Sequence, residues 1–213
     1  MRRLHPDPPC LALLVVVMLG AVMLGVAGPA GAQGPAVGSW ATYEWRSAAT
    51  TDVPVLVQQP GTTGAASWSV DRETVPSRPI FETFSVVRGD TKTYVLQIVT
   101  RLTPDGKPLS VTQVTVDRAS GKAVKSVIRD KKSVIATPES GLRPLRQASV
   151  KGSPEEVAVQ AGRFTAVKAP HRNGTVWVSD QVPALGIVKG TVPDGQLELV
   201  KSGTTGAQDL LRS

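Results

Sequence analysis

Few side chains in this sequence could carry out acid–base or nucleophilic chemistry. General acid–base catalysis usually needs a histidine, or two carboxylates held close together. After residue 32 the sequence has one histidine, His171, which follows Pro170 at the end of a predicted strand. The G-x-S-x-G motif of serine hydrolases is absent, and Lys201-Ser202-Gly203 has no S-x-x-K partner of the penicillin-binding type. We therefore predict that the chain has no catalytic residue and is not an enzyme.

The residue types also argue against metal, thiol and phosphate chemistry. The only cysteine, Cys10, lies within the first 32 residues, so the rest of the chain offers no thiolate. Glu155 and Glu156 are adjacent on a predicted strand and therefore point to opposite faces. The Gly-Thr-Thr-Gly segments at 61–64 and 203–206 lack the lysine and the following helix of a phosphate-binding loop. We predict no metal site and no cofactor.

The side chains that remain available for function include the aromatic ones. Val176 and Val178 occupy one face of a predicted strand, which leaves Trp177 on the other face. Such a strand packs one face on the core and can offer the other to a ligand, a partner or a covering loop. A tryptophan that simply caps the end of the sheet is an equally good interpretation. The candidate ligand-binding residues are Trp177, Phe164, Tyr94 and Trp68.

Basic side chains are densest in one stretch of the chain, and the net charge of +7 agrees with an anionic partner. The stretch contains Arg118, Lys122, Lys125, Arg129, Lys131 and Lys132. These residues fall on both faces of a strand, so they fit solvated hairpin edges that lysines protect from aggregation. The alternative is a patch in which Lys122, Lys125 and Arg129 contact an anionic surface.

The first 32 residues have the pattern of a helical secretory signal peptide. Arg2 and Arg3 precede the apolar run 11–27, and Ala30-Gly31-Ala32 matches the small-residue cleavage site. We predict cleavage after Ala32 and a periplasmic or secreted protein without a stable transmembrane span; the alternative is an uncleaved anchor. Export argues against a nucleic acid as the partner.

Short runs of β-branched residues, separated by turn signals, recur throughout the rest of the chain, and helical periodicity is nearly absent. Tyr94, Leu96 and Ile98 alternate with polar residues in a half-buried strand. The predicted strands are 39–47, 53–58, 67–75, 80–87, 92–102, one around Val111, 123–128, 134–135, 157–159, 164–169, 176–179, 186–192 and 197–200. The fold class is all-β: a single curved antiparallel meander sheet or half-open barrel over residues 33–202, with a flexible tail at 203–213.

Residues 155–203 resemble a group of uncharacterised exported bacterial proteins. In these a V-x-x-G-x-F strand pair, here Val159-Gln160-Ala161-Gly162-Arg163-Phe164, precedes a strand with Trp177 and a Pro-Gly turn at 183–186. Their sheet is similar to the lipoprotein-carrier (LolA/LolB-like) half-barrel, in which a curved sheet holds an acyl chain under a helical lid. The resemblance implies an apolar or lipid-like ligand. No amphipathic helix is present to act as the lid, so either the loop 137–148 covers the sheet or the sheet closes on itself.

Two functions remain open at this stage. The first is an exported binding module whose curved sheet holds an apolar small molecule or a lipid. The second is an envelope interaction or structural protein that uses its sheet edges and the basic hairpin.

Overall fold

The computed structural model describes residues 34–48, 50–59, 67–128, 145–171 and 174–212. Within these residues almost all regular structure is β-strand, with one short 3-10 turn at Gln147–Ser149. The strands are β1 (Trp40–Ser47), β2 (Thr50–Gln59), β3 (Ser67–Pro76), β4 (Ile80–Gly89), β5 (Thr93–Arg101), β6 (Ser110–Asp117), β7 (Ala123–Ile128), β8 (Pro154–Val159), β9 (Gly162–His171), β10 (Gly174–Val178), β11 (Ile187–Val192) and β12 (Gly195–Gly203). The predicted all-β fold class is confirmed.

Ten strands form one antiparallel sheet in the order β7-β6-β5-β4-β1-β12-β11-β10-β9-β8, and the sheet is not closed into a barrel. It consists of two meanders, β4 to β7 and β8 to β12, with β1 between β4 and β12. β2 and β3 lie between β1 and β4 in the chain, but they form a separate two-stranded sheet. The predicted single sheet is the ten-stranded one, and β2 and β3 lie outside it because their cross-strand bonds are made to each other.

The meanders have the turns that the sequence predicts. Gly106 donates its backbone N–H to the Thr103 carbonyl across 3.1 Å and so closes the β5–β6 turn. The predicted hairpin of β9 and β10 is present, but Gly174 pairs with His171 as the first residue of β10 and is not a central turn residue, and the two residues between them, 172–173, lie outside the described residues. The predicted strand at 134–135, most of the loop 137–148 and the predicted signal peptide 1–32 lie outside the described residues.

One face of the large sheet, called the inner face, carries the core. Tyr43 of β1 lies beside Phe84 of β4, with ring centroids 5.8 Å apart in an edge-to-face arrangement. The Tyr43 hydroxyl donates to the Ile187 carbonyl at 3.0 Å, which satisfies it in an apolar surrounding. The largest side chains that are almost fully buried include Tyr43, Tyr94, Phe84, Leu96, Leu185, Ile187, Leu197 and Leu199. These side chains fill the described part of the inner face.

The opposite face, called the outer face, is polar. Cross-strand register places Thr42 of β1 opposite Thr83 of β4 and Lys201 of β12. Further along the sheet, Gln97 of β5 is opposite Gln113 of β6. These outer-face positions alternate with the buried residues of the core, as the pleat of a strand requires.

The tail after β12 crosses the outer face, where the sequence predicts a flexible segment from Gly203. Gly203 itself pairs with Trp40, and the Ala207 N–H donates to the Gly38 carbonyl at 3.0 Å. The Gln97 amide donates to the Gln208 carbonyl and accepts the Leu210 N–H, both at 2.9 Å. The tail is held to the sheet because it satisfies polar groups of the outer face, a non-local partnership that local composition does not reveal.

Candidate functional site

The predicted ligand-binding residues lie at different places in the fold. Tyr94 is in the core with 2% of its surface exposed, and the Arg118 guanidinium carbon lies 5.3 Å from its ring centre. Phe164 on β9 is partly buried against the core, opposite Val157 of β8. Trp68 is on β3 in the separate two-stranded sheet. Tyr94 on β5 and Phe164 on β9 therefore belong to different meanders of the large sheet.

Trp177 lies on the outer face, between two lysines of the neighbouring strands. Lys168 of β9 and Lys189 of β11 are its cross-strand partners, and their ammonium nitrogens lie 5.4 Å and 5.8 Å from the ring centre. The indole N–H donates to the Glu155 carboxylate of β8. Cation–π contacts and a charged hydrogen bond thus surround the ring. Trp177 is partly buried against the core, and with Lys168, Lys189 and Glu155 it forms a charged cluster at the surface.

The basic hairpin lies at one edge of the sheet. Lys122 and Lys125 are exposed there, as is Val124 with 61% of its surface accessible. Arg129, the third residue of the predicted anion-contact set, lies outside the described residues. His171 is the last residue of β9, where it pairs with Gly174.

A pocket of about 300 Å³ opens on the outer face, and Trp177, Phe164 and Tyr94 are not among its lining residues. The strands supply its floor and the β5–β6 turn one wall, while the tail supplies the wall opposite. The floor and walls are formed by Trp40, Thr42, Thr83, Ser85, Gln97, Val99, Arg101, Pro104, Asp105, Gly106, Lys201, Gly206, Ala207, Gln208 and Leu210. Eight of these fifteen residues end in a hydroxyl, an amide or a charge and lie beside apolar groups such as Val99, Pro104 and Leu210, so the pocket can form hydrogen bonds with a small ligand.

Three charged groups line this pocket. Lys201 of β12 contacts the Asp105 carboxylate of the β5–β6 turn, with Nζ 2.5 Å from Oδ1. Arg101 lies at the end of β5, where its Nε donates to the Gly106 carbonyl at 3.0 Å and one Nη to the Thr83 hydroxyl at 3.1 Å. The Lys201 ammonium, and more weakly the Arg101 guanidinium, hold the pKa of Asp105 below its usual range. Burial lowers the pKa of Arg101, and the nearby Asp105 carboxylate opposes that effect.

The floor and the tail wall are fixed by hydrogen bonds. The hydroxyls of Thr42 and Thr83 lie 2.9 Å apart across β1 and β4. The Trp40 indole N–H donates to the Thr205 carbonyl at 2.9 Å and anchors the start of the tail. With the two Gln97 bonds further along, the tail is attached on both sides of Ala207, which lines the pocket. The pocket is therefore a built feature of the sheet and tail together.

Sequence reasoning missed this pocket for an identifiable reason. Gln97 and Arg101 belong to the polar side of the predicted strand 92–102, and such a side of an antiparallel sheet is usually open to water. In the structure Ser85 and Gln97 are buried. Nothing in the local pattern of these strands distinguishes a polar face that the chain's own tail covers from one that water covers.

The inner face contains one isolated acidic group, Glu82 of β4. Its side chain lies opposite Tyr43 of β1 and Thr100 of β5, and 1% of its surface is exposed. The Thr100 hydroxyl donates to Oε1 across 3.4 Å, and Oε2 has no hydrogen-bond partner among the described residues. Burial raises the pKa of Glu82 to about 8, against a smaller lowering by the Thr100 hydroxyl.

Comparison of the chain with protein-family models, curated proteins and solved structures gives no match. The resemblance of residues 155–203 to lipoprotein carriers stays a prediction. Among the described residues, no group of three or more His, Cys, Asp or Glu side chains is placed to hold a metal ion. No helix within the same residues has the length and hydropathy to cross a membrane.

Proposed function

We propose that the protein is an exported, non-catalytic binding protein whose ligand site is the outer-face pocket. The observation that carries this proposal is the cavity of about 300 Å³ between the sheet and its own tail. Small-molecule sites usually occupy roughly 300–1,000 Å³, so this volume suits a small ligand. The signal-peptide pattern of residues 1–32 supports export, and the scarcity of reactive side chains after residue 32 supports a role in binding.

The chemistry of the pocket favours a hydrophilic ligand over the acyl chain that the resemblance implies. Its lining presents the hydroxyls of Thr42, Thr83 and Ser85, together with the charged groups of Arg101 and Lys201. An acyl chain there would desolvate these groups without replacing their hydrogen bonds, which is unfavourable. The described inner face, where an acyl chain would have to lie, is filled by side chains of the core.

A direct test is titration calorimetry of the exported protein against a panel of small sugars, amino acids, carboxylates and phosphate. We expect at least one compound to bind with a Kd below about 1 mM. Ala207→Trp fills the pocket from the tail wall and should abolish that binding. Ala119→Trp is the matched control, because Ala119 is exposed on the β6–β7 turn. Binding that survives Ala207→Trp, or no binding by any compound, contradicts the proposal.

A second candidate function is contact with an anionic component of the cell envelope. The observation in its favour is that exposed Lys122 and Lys125 flank exposed Val124 near the edge strand β7, where a partner could meet charge and apolar surface together. We expect Lys122→Glu with Lys125→Glu to move the protein from the membrane to the soluble fraction of the envelope. Lys107→Glu with Lys151→Glu, at two other exposed sites, is the control. Unchanged fractionation of the first variant removes this candidate.

A further inference from the structure

We infer that the outer-face pocket holds its ligand through a carboxylate group, which binds Lys201 and Arg101 and displaces the Asp105 carboxylate from Lys201. This inference rests on the proposed function and names the class of ligand: a small hydrophilic carboxylate. It makes Asp105 an internal substitute for the ligand's acidic group when the pocket is empty.

The first argument is the charge of the pocket lining. Lys201 and Arg101 each carry a positive charge, and Asp105 carries the one negative charge among the lining residues. The two cations approach from different elements, Lys201 from β12 and Arg101 from the end of β5, and both lower the pKa of the same carboxyl group. The lining therefore has a net charge of about one positive unit at neutral pH, focused on a single position.

The second argument is the orientation of Arg101. Its guanidinium is held by the Gly106 carbonyl and the Thr83 hydroxyl, one from the turn and one from the floor. Within the described residues these bonds use two of the five N–H donors that an arginine offers. A planar guanidinium fixed in this way is suited to a carboxylate, which it can bind through two parallel hydrogen bonds.

The third argument is that the Asp105 carboxylate can leave easily. Its side chain is 87% exposed, and it is attached to Lys201, which is 38% exposed. Ion pairs exposed to this extent contribute little to stability, because water and salt screen them. When a ligand carboxylate enters the pocket, its ion pair with Lys201 replaces the pair between Asp105 and Lys201, and the ligand also contacts the floor. The released Asp105 carboxylate is then solvated by water.

The experiment uses acetate as the probe for a bare carboxylate and acetamide as its neutral counterpart. Backbone amide shifts of Asp105, Gly106 and Lys201 in the exported protein report occupancy of the pocket. We expect acetate to shift these three signals in a saturable way, whereas acetamide at the same concentration does not. Lys201→Gln should weaken acetate binding by about tenfold, since it removes a charged hydrogen-bond donor.

The decisive variant is Asp105→Asn, which removes the competing carboxylate and keeps the side-chain shape. We expect it to strengthen acetate binding by roughly two- to fivefold, the range that follows from the strength of an exposed ion pair. The matched control is Asp90→Asn, because Asp90 is an exposed carboxylate on the β4–β5 turn, outside the pocket lining. It should leave the acetate affinity unchanged.

Three results would overturn the inference. They are equal effects of acetate and acetamide, an acetate affinity that Asp105→Asn leaves unchanged or lowers, and stronger binding of inorganic phosphate than of acetate. If neutral sugars, which have no carboxylate, then bind in a manner that Ala207→Trp abolishes, the proposed function stands and the assignment to a carboxylate fails. If nothing binds, both fail.

Discussion

The carboxyl group of Glu82 lies on the face of the sheet that is otherwise apolar or carries hydroxyls. A charged carboxylate buried without a cationic partner is strongly unfavourable, so the group takes up a proton in the folded state. The resulting pKa of about 8 lies well above the ordinary value of a glutamate. Between about pH 4.5 and pH 8, folding is therefore accompanied by the uptake of a proton at Glu82.

This proton makes stability depend on pH in a defined direction. The unfolded chain has the ordinary pKa of about 4.5 and the folded one about 8, so the folded state binds more protons between these values. The stabilising contribution of the protonated state is complete below about pH 4.5 and is lost as the pH rises through 8. Glu82→Gln should remove this dependence and raise the free energy of unfolding at pH 7 by roughly 2–3 kcal/mol.

The measurement is urea unfolding of the wild-type protein and of Glu82→Gln at several values between pH 5 and pH 9. The difference between the two proteins isolates this one group, because the other titrating groups are shared. Glu156→Gln is the control, since Glu156 is exposed on β8. Parallel pH curves for wild type and Glu82→Gln would show that the residue is charged in the folded state.

Among the elements, the tail after β12 differs most from its predicted behaviour, because it is bound to the outer face of the sheet. Asp209 is its main attachment: Arg88 of β4 lies 2.9 Å from Oδ2, and the Gln113 amide of β6 donates to Oδ1 at 2.6 Å. The Asp209 side chain is mostly buried by these contacts. One acidic residue thus joins the tail to two strands on the outer face.

Asp209→Ala removes the ion pair with Arg88 and the acceptor of the Gln113 amide in a partly buried place. We expect a loss of roughly 1–3 kcal/mol in the free energy of unfolding, the range for orphaned donors and charged hydrogen bonds. Urea unfolding measures it, and amide hydrogen exchange should become faster in residues 204–212. Asp194→Ala on the exposed β11–β12 turn is the control. Equal stability of the two variants would mean that Asp209 does not hold the tail.

The strands could be predicted from the sequence, because they depend on interactions between residues close together in the chain. The pocket could not, because it depends on contacts between residues far apart in the chain. Alternation within β5 and the turn at 103–106 are local, so period-two patterning locates both. The pocket needs Lys201 beside Asp105 and Gln97 beside Leu210, which are contacts between distant parts of the chain. The surroundings of Trp177 could not be predicted for the same reason, because its place between Lys168 and Lys189 depends on the register of three strands.

At the level of the whole molecule, β1 joins the two meanders into one sheet. Tyr43 belongs to both halves, since its ring packs on Phe84 of β4 and its hydroxyl bonds to Ile187 of β11. The buried residues of both meanders belong to one continuous core cluster. Neither meander therefore has a separate core that could remain folded when the other opens.

We expect the large sheet to unfold in one cooperative step. Tryptophan fluorescence and far-ultraviolet circular dichroism, recorded across a urea gradient, should give the same midpoint. Tyr43→Phe removes the bond to Ile187 and should lower that midpoint while the two signals still coincide, because the shared core remains. Two separate midpoints in the wild-type protein would show that the meanders fold independently.

The pairing of β1 with β12 has a consequence for the order of events after synthesis. Trp40 stands opposite Gly203, so the first strand of the sheet obtains its second neighbour only when nearly the whole chain is available. Assembly that waits for such distant partners is slow compared with local hairpin formation. For the export that we propose, this delay would leave β1 without its second neighbour until β12 has also emerged.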